Sequence, residues 1–421
     1  MVTDETDSDV WITGIGMVTP VGVGREESWT GFSEGRSGVG AIRSYHADSE
    51  PIRIAAEVPE HFEVAYRKKV RIPFARRFAR FTRLALFAGE EAIEDSGLDL
   101  SAEDPIRIGV VMGVGGGAVH YMGPLEEALS GGPLSLEDVI DHNFVVKTML
   151  NAPAGMLSMR HGLQGPSSII GAACASGAYA ISTAASWLQS HRVDVMLAGG
   201  TDSTVSKLTL LAYHRVGALS SANGLGSRAS RPFDRDRSGF IMGEGSAVLV
   251  LETARHARGR GARRYARLSG SGLVSEAYRM ATPRSDGSAM ARAMEEALKS
   301  AGADETEVAF INANAASTPV GDSAEALAIH RVFGERARRI PVTAPKSMMG
   351  HPIGASAAIQ VALTAMTIRH GLIPPTANLD HLDSGIDLDV VRGEAREQVV
   401  PLALCNAFGF GGHNATLALR R

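Results

Sequence analysis

The stretch Gly171-Ala172-Ala173-Cys174-Ala175-Ser176-Gly177 decides how the rest of the chain is interpreted. An apolar run over residues 167–173 leads into it, and a run with helical spacing follows over 175–190. This order predicts a turn from a strand into a helix, with the Cys174 sulfur at the helix N-terminus. Unpaired N–H groups and the positive dipole end favour a thiolate there. The alternative at this point is an inert buried cysteine.

The composition is that of a globular protein with a large core. Of 421 residues, 44% are hydrophobic and 21% are charged, and this length predicts two or three domain-sized units. The net charge of −4 disfavours a general nucleic-acid binder. Two cysteines, Cys174 and Cys405, do not indicate a disulfide framework. Without a signal pattern or an apolar run of about 18 residues, we expect a soluble cytoplasmic protein with no membrane partner.

Apolar strands alternate with helical segments along the whole chain. Such alternation implies sheets covered by helices, and the similar order of the two halves predicts a duplicated α/β core. The basic connection over residues 253–264 is the best boundary, so we divide the chain into 1–255 and 256–421. The predicted strands include 10–17, 106–113, 194–200 and 246–252 in the first half, and 266–274, 308–314, 341–344, 402–407 and 414–419 in the second.

Two glycine-rich loops carry no nucleotide or metal signature. Gly115-Gly116-Gly117 follows a predicted strand, but its spacing is not that of a dinucleotide fingerprint. No P-loop sequence and no paired Cys/His spacing for zinc appears, so no metal or nucleotide is expected. The long loop over residues 220–245 is predicted to form a wall of a functional site.

Residues 67–83 hold the strongest local charge run of the chain. From Pro73 onward, phenylalanines alternate with arginines at helical spacing, which predicts a helix that continues to Ser96. One interpretation is a solvated helix face, and the other is a docking patch for an acidic partner. The basic residues are Arg67, Lys68, Lys69, Arg71, Arg76, Arg77, Arg80 and Arg83.

Four further motifs follow the cysteine turn in a fixed order. They are Arg231-Pro-Phe-Asp234 with residues 239–245, Ser317-Thr-Pro-Val-Gly-Asp322, Lys346-Ser-Met-Met-Gly-His351, and Asn406-Ala-Phe-Gly-Phe-Gly-Gly412. From Val10 to Leu419 the set resembles the elongating β-ketoacyl-acyl-carrier-protein synthases, including the ketosynthase subunits of type II polyketide synthases. The resemblance implies a thiolase fold, with two pseudo-repeated α/β halves in a five-layered α-β-α-β-α core. It also implies a homodimer, or a heterodimer with a related ketosynthase-like subunit.

The chemistry that the resemblance implies is decarboxylative Claisen condensation. An acyl chain would pass from acyl carrier protein to Cys174, and malonyl on acyl carrier protein would then lose CO₂ and attack that thioester. The N–H groups of Cys174 and Phe410 would serve the first oxyanion. Asn314 and His351 would serve the second, with Lys346 as orienting residue. The phosphopantetheine arm arrives on the carrier protein, so no permanently bound cofactor is implied.

The resemblance assigns further residues around this centre. Thr318 and Ser317 would lie along the pantetheine arm, and Phe410 would gate the acyl pocket. Phe408 is either a packing or a gating residue, Gln360 supports the site from behind, and Asn406 does so unless it is a turn residue. Asp322 and Glu325 could simply cap a helix. The proposed carrier-protein dock comprises Arg67, Lys68, Lys69, Arg71, Arg76 and Arg77, whereas residues 231–237 form either a salt-bridged loop or a carrier contact.

The chain departs from the family pattern on the donor side. Asn314 stands where the family has a catalytic histidine, Ala316 replaces a threonine, and Gln360 replaces a glutamate that pairs with the lysine. A third departure is His413, where threonine is usual. Because asparagine donates hydrogen bonds but cannot act as acid or base, chain extension, non-elongating transacylation and a mainly structural partner role all stay open. The retained Cys174 disfavours the last. Lys346 either has another partner than a carboxylate or is held less well.

Overall fold

The computed structural model describes residues 6–71 and 78–421. Within these residues one large sheet of twelve strands and two small two-stranded sheets occur. The strands are β1 Val10–Thr19, β2 Gly22–Val23, β3 Val39–Ala41, β4 Ile54–Ala56, β5 Ile108–Gly113, β6 Ser167–Ile170, β7 Val195–Ser203, β8 Glu244–Thr253, β9 Ala266–Ser275, β10 Phe310–Asn312, β11 Pro341–Thr343, β12 Leu372–Ile373, β13 Asp389–Val390, β14 Arg396–Glu397, β15 Leu402–Gly409 and β16 His413–Arg420.

The α-helices lie between and around these strands. They are α1 Arg25–Ser33, α2 Phe62–Lys69, α3 Arg80–Ser96, α4 Met122–Leu129, α5 Leu136–Val139, α6 Phe144–Thr148, α7 Ala152–His161, α8 Ser176–Gln189, α9 Lys207–Arg215, α10 Ala254–Gly259, α11 Ser288–Ser300, α12 Pro319–Phe333, α13 Lys346–Met349 and α14 Ser356–His370. Among the described residues, no helix is both long and apolar enough to cross a membrane.

The strand order of the large sheet shows the duplication that the sequence predicts. The first half runs β6-β5-β7-β8-β1 and the second runs β11-β10-β15-β16-β9, with β13 added at its end. In each half the first two pairings are parallel and the next two are antiparallel. The halves join where β1 meets β9, antiparallel, from Val10 to Ile12. Each half is therefore one copy of the same α/β pattern.

Helices cover both faces of this sheet in five layers. The two central helices, α8 and α14, contact strands of both halves, α8 on β5, β7, β9 and β16, and α14 on β7, β8, β15 and β16. Helices α3 and α7 pack outside the first half, and α11 with α12 packs outside the second. Gly177 permits the close approach of the central helices, because a Cβ there would lie 2.7 Å from the Ala358 nitrogen. The result is the α-β-α-β-α arrangement.

Both central helices begin with the same backbone conformation. A 3₁₀ turn over Ala173–Ala175 precedes α8, and another over Ile353–Ala355 precedes α14. Ala173 has φ 48° and Ile353 has φ 38°, which is a strained conformation for residues other than glycine. Buried Ser176 and Ser356 then start the two helices. The duplication thus brings the Cys174 turn opposite a second, equivalent turn.

The structure departs from the predicted elements in three places. The predicted strands do not include β3 and β4, which lie within residues 36–66 together with the start of α2. The apolar run over 167–173 is a strand only to Ile170, and this strand is half-exposed because it lies at the end of the sheet. Helix α3 begins at Arg80, so Phe78 and Ala79 are not helical as predicted, and the earlier part of the predicted helix, 73–77, lies outside the described part.

Candidate active site

A cavity of about 210 Å³ connects the surface with the Cys174 turn. Its wall combines residues from both halves of the chain, with the cysteine from the first half and the remainder of the predicted catalytic surface from the second. Exposed Arg279 and Met280 belong to its mouth. The predicted residues that line it are Cys174, Asn314, Thr318, His351, Phe408 and Phe410.

Cys174 lies in the 3₁₀ turn and is 8% exposed. Ser176 fixes this turn, because its hydroxyl accepts the Ala172 N–H at 2.9 Å and donates to the Ala173 carbonyl at 2.7 Å. Burial raises the pKa of the Cys174 thiol to about 11, against the opposing charge of Lys346 and two backbone N–H groups. Burial therefore opposes the thiolate that the helix N-terminus is predicted to favour. Desolvation outweighs the helix terminus.

The two backbone N–H groups at the sulfur belong to Phe410 and to Cys174 itself. They come together because Gly409 lies against the cysteine turn, where a Cβ would stand 3.0 Å from the Cys174 nitrogen. Any larger residue at 409 would push these groups apart. Paired backbone donors beside a nucleophile form a site where an oxyanion is stabilised.

The side chain of Asn314 has a fixed orientation. Its Oδ1 accepts the Lys346 ammonium at 3.1 Å and the Phe408 N–H at 3.1 Å. Both partners can only donate, so the amide oxygen must face them. The Nδ2 group makes no hydrogen bond with the described residues, and it is the donor that Asn314 presents to the cavity.

Glu325 holds the backbone that carries Asn314. Its buried carboxylate accepts the N–H groups of Asn314 at 2.9 Å and Ala315 at 2.7 Å, and the Asn406 amide at 3.0 Å. Burial raises the pKa of Glu325. Glu325 is thus more than a helix-capping residue, and Asn406 is a buried support rather than a turn residue. Asp322 does bind the helix start, because it accepts the Thr318 N–H at 3.2 Å.

Lys346 is fully buried behind the cavity wall and uses all its donors on neutral oxygens. It donates to the Asn314 carbonyl, to Asn314 Oδ1 and, at 2.8 Å, to Gln360 Oε1. Gln360 in turn donates through Nε2 to Asn312 Oδ1 at 3.0 Å and to the Ala313 carbonyl at 2.7 Å. Burial lowers the pKa of Lys346 to about 8. The side-chain amides of Asn314 and Gln360 are therefore the partners of Lys346, which the sequence alone does not identify.

His351 is a neutral imidazole in this site. It is 3% exposed, and burial together with the Lys346 charge holds its pKa well below the usual range. The ring meets Phe240 edge-on, with 5.0 Å between ring centroids. Its Nδ1 is buried and has no hydrogen-bond partner among the described residues. A neutral imidazole donates from one nitrogen and accepts at the other, so His351 can serve as a donor or as a base.

The two residues predicted to contact the pantetheine arm, Thr318 and Ser317, lie in different environments. Thr318 lines the cavity. Ser317 is fully buried, and its hydroxyl accepts the Arg231 N–H at 3.1 Å on the other side of the backbone. Its hydroxyl is not available to an arm in the cavity, which corrects that prediction. Arg231 itself pairs with Asp234 and Asp380, so the salt-bridged interpretation of the 231–237 loop fits.

The charge run divides into an exposed part and an anchored part. Arg67, Lys68 and Arg71 are exposed around the end of α2, and Lys69 pairs with Glu94 at 2.6 Å. The guanidinium of Arg80 instead binds the buried Glu244 carboxylate through two bonds of 2.6 and 2.7 Å. Arg83 binds Glu63 at 2.7 Å. The proposed dock residues Arg76 and Arg77 lie outside the described residues.

Sequence reasoning missed two groups that shape the cavity. Tyr213 stacks on Phe410 with 6.2 Å between ring centroids and meets Phe240 at 5.8 Å, yet nothing in the pattern of α9 marks it. Asp202 is the next-to-last residue of β7, and its carboxylate accepts the N–H groups of residues 115–117 and, at 2.7 Å, that of Gly354. An acidic residue close to a buried strand end was the available signal. The described residues contain no cluster of three or more metal-ligating side chains.

Comparisons with known proteins agree along nearly the whole chain. Family models for the N-terminal and C-terminal domains of β-ketoacyl synthases match residues 7–257 and 265–380. The chain is 37% identical over 414 residues to "3-oxoacyl-[acyl-carrier-protein] synthase 2" of Vibrio harveyi, covering 98% of each protein.

Two solved structures are similar in fold as well as in sequence. One is "The ishigamide ketosynthase/chain length factor", at 30% identity and a TM-score of 0.90, with 98% of each chain covered. The other is a type II polyketide synthase acyl-carrier protein in complex with its ketosynthase bound to the hexaketide, at 31% identity and a TM-score of 0.87, again with 98% of each chain covered. The predicted thiolase fold is confirmed. With domain models matching in both halves and this identity over almost every residue, the chain belongs to the β-ketoacyl synthase family.

Proposed function

We propose that this protein is an acyltransferase that extends acyl chains in fatty-acid or polyketide biosynthesis. It loads an acyl chain from acyl carrier protein onto Cys174 and condenses it with malonyl on acyl carrier protein. The observation that carries the proposal is one cavity that joins a thiol with two separate sets of oxyanion donors. The relative from Vibrio harveyi bears the name of a 3-oxoacyl-acyl-carrier-protein synthase, which supports it.

Acyl transfer uses the Cys174 side of the cavity. The thioester oxygen of the incoming chain lies between the N–H groups of Cys174 and Phe410 while the sulfur attacks the carbonyl carbon. The sulfur attacks as the thiolate, whose proton has passed to solvent, because burial holds the pKa of His351 well below its usual range and makes the imidazole a weak base. The carrier-protein thiol departs with a proton. Each backbone donor of this kind is worth about 3–4 kcal/mol.

Condensation uses the side of the cavity that Asn314 and His351 form. The malonyl thioester oxygen lies between His351 and the Nδ2 group of Asn314, so both donate to it. As the bond to the carboxylate breaks and CO₂ leaves, the electron pair moves into an enolate whose oxygen these donors stabilise. The enolate carbon then attacks the Cys174 thioester, the carbon–sulfur bond breaks, and the β-ketoacyl product leaves on the carrier. Asparagine suffices because this step needs a donor rather than an acid.

The alternatives are less well supported. A non-elongating transacylase or a mainly structural partner subunit needs no donor opposite the cysteine. The Asn314 amide is nevertheless fixed by two hydrogen bonds with its donor group toward the cavity. This arrangement favours condensation.

Acyl carrier protein is the proposed partner and brings the phosphopantetheine arm, with Thr318 along its path. Arg67, Lys68 and Arg71 form the exposed part of the proposed dock. We also propose a dimer with an identical or related subunit that covers residues 122–170, where Val145 is 68% and Met159 is 77% exposed. A cytoplasmic location suits a chain whose cysteines are both free thiols.

Mass spectrometry tests the proposal in two steps. After incubation with acyl-carrier protein, an acyl adduct should appear on Cys174, and malonyl-carrier protein should then yield a β-ketoacyl product two carbons longer. An adduct that forms without the longer product would identify a transacylase. No adduct on the wild-type protein would contradict both enzymatic functions and leave the structural partner.

A further inference from the structure

The ammonium of Lys346 is held in the core without a carboxylate on it. Its three hydrogen-bond acceptors are two oxygens of Asn314 and Oε1 of Gln360, and all three are neutral. Within the described part of the chain, no acidic side chain lies within 4 Å of Lys346 Nζ. No counter-ion at hydrogen-bond distance offsets the charge of the Lys346 ammonium, and this charge acts strongly on its neighbours because the interior screens it poorly.

The orientation of both amides directs that charge toward the cavity. Gln360 cannot turn over, because its Nε2 donates to the Ala313 carbonyl at 2.7 Å, which can only accept. Asn314 cannot turn over either, since its Oδ1 holds two donors. The hydrogen-bond chain therefore runs from Lys346 to Asn314 Oδ1 and out through Asn314 Nδ2. A cation on the oxygen of an amide makes its N–H groups stronger donors.

Other titratable groups bear on Lys346 from the elements packed around it. Glu325 and Asp322 belong to α12, and the thiols of Cys174 and Cys405 face it from the cysteine turn and from β15. The Glu325 carboxylate is already occupied by two backbone N–H groups and by Asn406. Position 360 is thus where a carboxylate would contact the ammonium directly and neutralise it.

We propose that Gln360 is a positioning residue for condensation, which holds Lys346 without neutralising it so that the ammonium polarises the Asn314 amide. Asn314 and Gln360 then work as one unit, and neither is replaceable alone. The kinetic consequence rests on the condensation function proposed above. The effect of the Lys346 charge on Cys174 can be measured without relying on condensation.

A double-mutant cycle tests the pair. Malonyl-carrier decarboxylation by the acylated enzyme is measured for wild type, Gln360→Glu, Asn314→His and the double variant. In the wild-type background Gln360→Glu should lower kcat roughly tenfold with little change in KM, because the carboxylate withdraws the charge from the amide. In the Asn314→His background it should not lower kcat, since an imidazole N–H donates without that help. Equal loss in both backgrounds overturns the proposal.

A second readout is independent of condensation. Iodoacetamide alkylation of Cys174 at pH 7, which lies below the pKa of about 8 for Lys346, reports the thiolate population that the Lys346 charge favours, and peptide mass spectrometry measures it. Gln360→Glu should slow it roughly tenfold, equivalent to one pKa unit. Thr364→Val is the matched control on α14, because the Thr364 hydroxyl binds Asn312 and the Gln360 carbonyl but not Lys346. It should leave the rate unchanged.

Lys346→Met supplies the same test without a buried carboxylate, should Gln360→Glu fail to fold. It should also slow alkylation, and wild-type rates in either folded variant overturn the proposal. A wild-type protein that is acylated but never decarboxylates malonyl-carrier protein would instead contradict the condensation function. The alkylation result would still decide whether Gln360 preserves the Lys346 charge.

Discussion

The two turns that start the central helices, residues 173–176 and 353–356, share a backbone and differ in chemistry. Each has a 3₁₀ turn with positive φ at its first residue and a buried serine at the helix start. The first turn carries the nucleophile Cys174. The second carries Gly354, whose N–H binds Asp202, and it begins two residues after His351. The duplicated fold therefore supplies two equivalent positions beside one cavity, and each half uses its own differently.

The difference lies in which atoms create the electrostatic environment. The hydrogen-bond donors at Cys174 are backbone N–H groups, which no substitution can change chemically, and the Lys346 charge acts on the sulfur from farther away. Around Asn314 the polar groups are side chains, chiefly Lys346 and Gln360, which single substitutions can change. The donor side can therefore vary while the fold and the nucleophile stay the same. That side is where the family resemblance predicts departures from the family pattern.

The largest expected effect comes from removing the Cys174 thiol, which eliminates the proposed chemistry of the first turn. Cys174→Ala should abolish the acyl adduct, because no other thiol reaches the cavity. Cys405→Ala is the matched control, since Cys405 is equally buried but does not line the cavity. Intact-protein mass spectrometry measures both. An adduct of undiminished yield on Cys174→Ala would place the acyl group elsewhere.

The pH dependence of acyl transfer separates the two sides. Burial raises the pKa of Cys174 to about 11, so the thiolate fraction should increase about tenfold per pH unit below that value. The pKa of His351 lies well below its usual range, so the ring stays neutral and adds no opposing change. Single-turnover acylation should rise roughly hundredfold from pH 6 to pH 8. A plateau near pH 7 would contradict a desolvated thiol.

Asp202 binds the second turn to the loop over residues 115–117, and the neighbouring Val114 carbonyl accepts the Ser176 hydroxyl of the first turn, so loss of Asp202 should affect both turns. Asp202→Asn replaces an acceptor oxygen by an NH₂ group that faces the N–H groups of residues 115–117 and Gly354. We expect about 3 kcal/mol lower free energy of unfolding, measured by urea denaturation. Acylation and malonyl decarboxylation should fall together. A loss confined to one of these steps would show that the turns are not coupled through this carboxylate.

The smallest expected effect is on the KM for acyl-carrier protein and concerns the exposed basic residues at the end of α2. Arg67→Glu with Lys68→Glu should raise KM for acyl-carrier protein several-fold, and added salt should reduce the difference. Arg255→Glu, an exposed arginine in α10, is the control and should leave KM unchanged. If both variants behave alike, the end of α2 is a solvated helix face. Arg80 does not belong in this test, because it anchors the buried Glu244.

The sequence predicts the strands and the turn that carries Cys174 well because both depend on local patterns. The apolar run, the small residues and Cys174 all lie within a few positions of each other. It does not predict the pKa of the thiol, since burial comes from residues distant in the chain. Nor does it show that Gln360 and Asn314 share Lys346, or that Ser317 faces Arg231, because these contacts join separate segments. Nor does the sequence show that Arg80 binds Glu244 or that Arg83 binds Glu63, because these contacts also join separate segments.

The most direct test of the account is malonyl-carrier decarboxylation by Asn314→Asp. An aspartate has the same shape and can keep the contacts with Lys346 and the Phe408 N–H, but it presents an oxygen to the cavity in place of the Nδ2 donor. The Cys174 adduct should still form, whereas decarboxylation should fall roughly hundredfold or more. Decarboxylation at the wild-type rate would contradict the proposal that the Asn314 amide is the donor opposite Cys174.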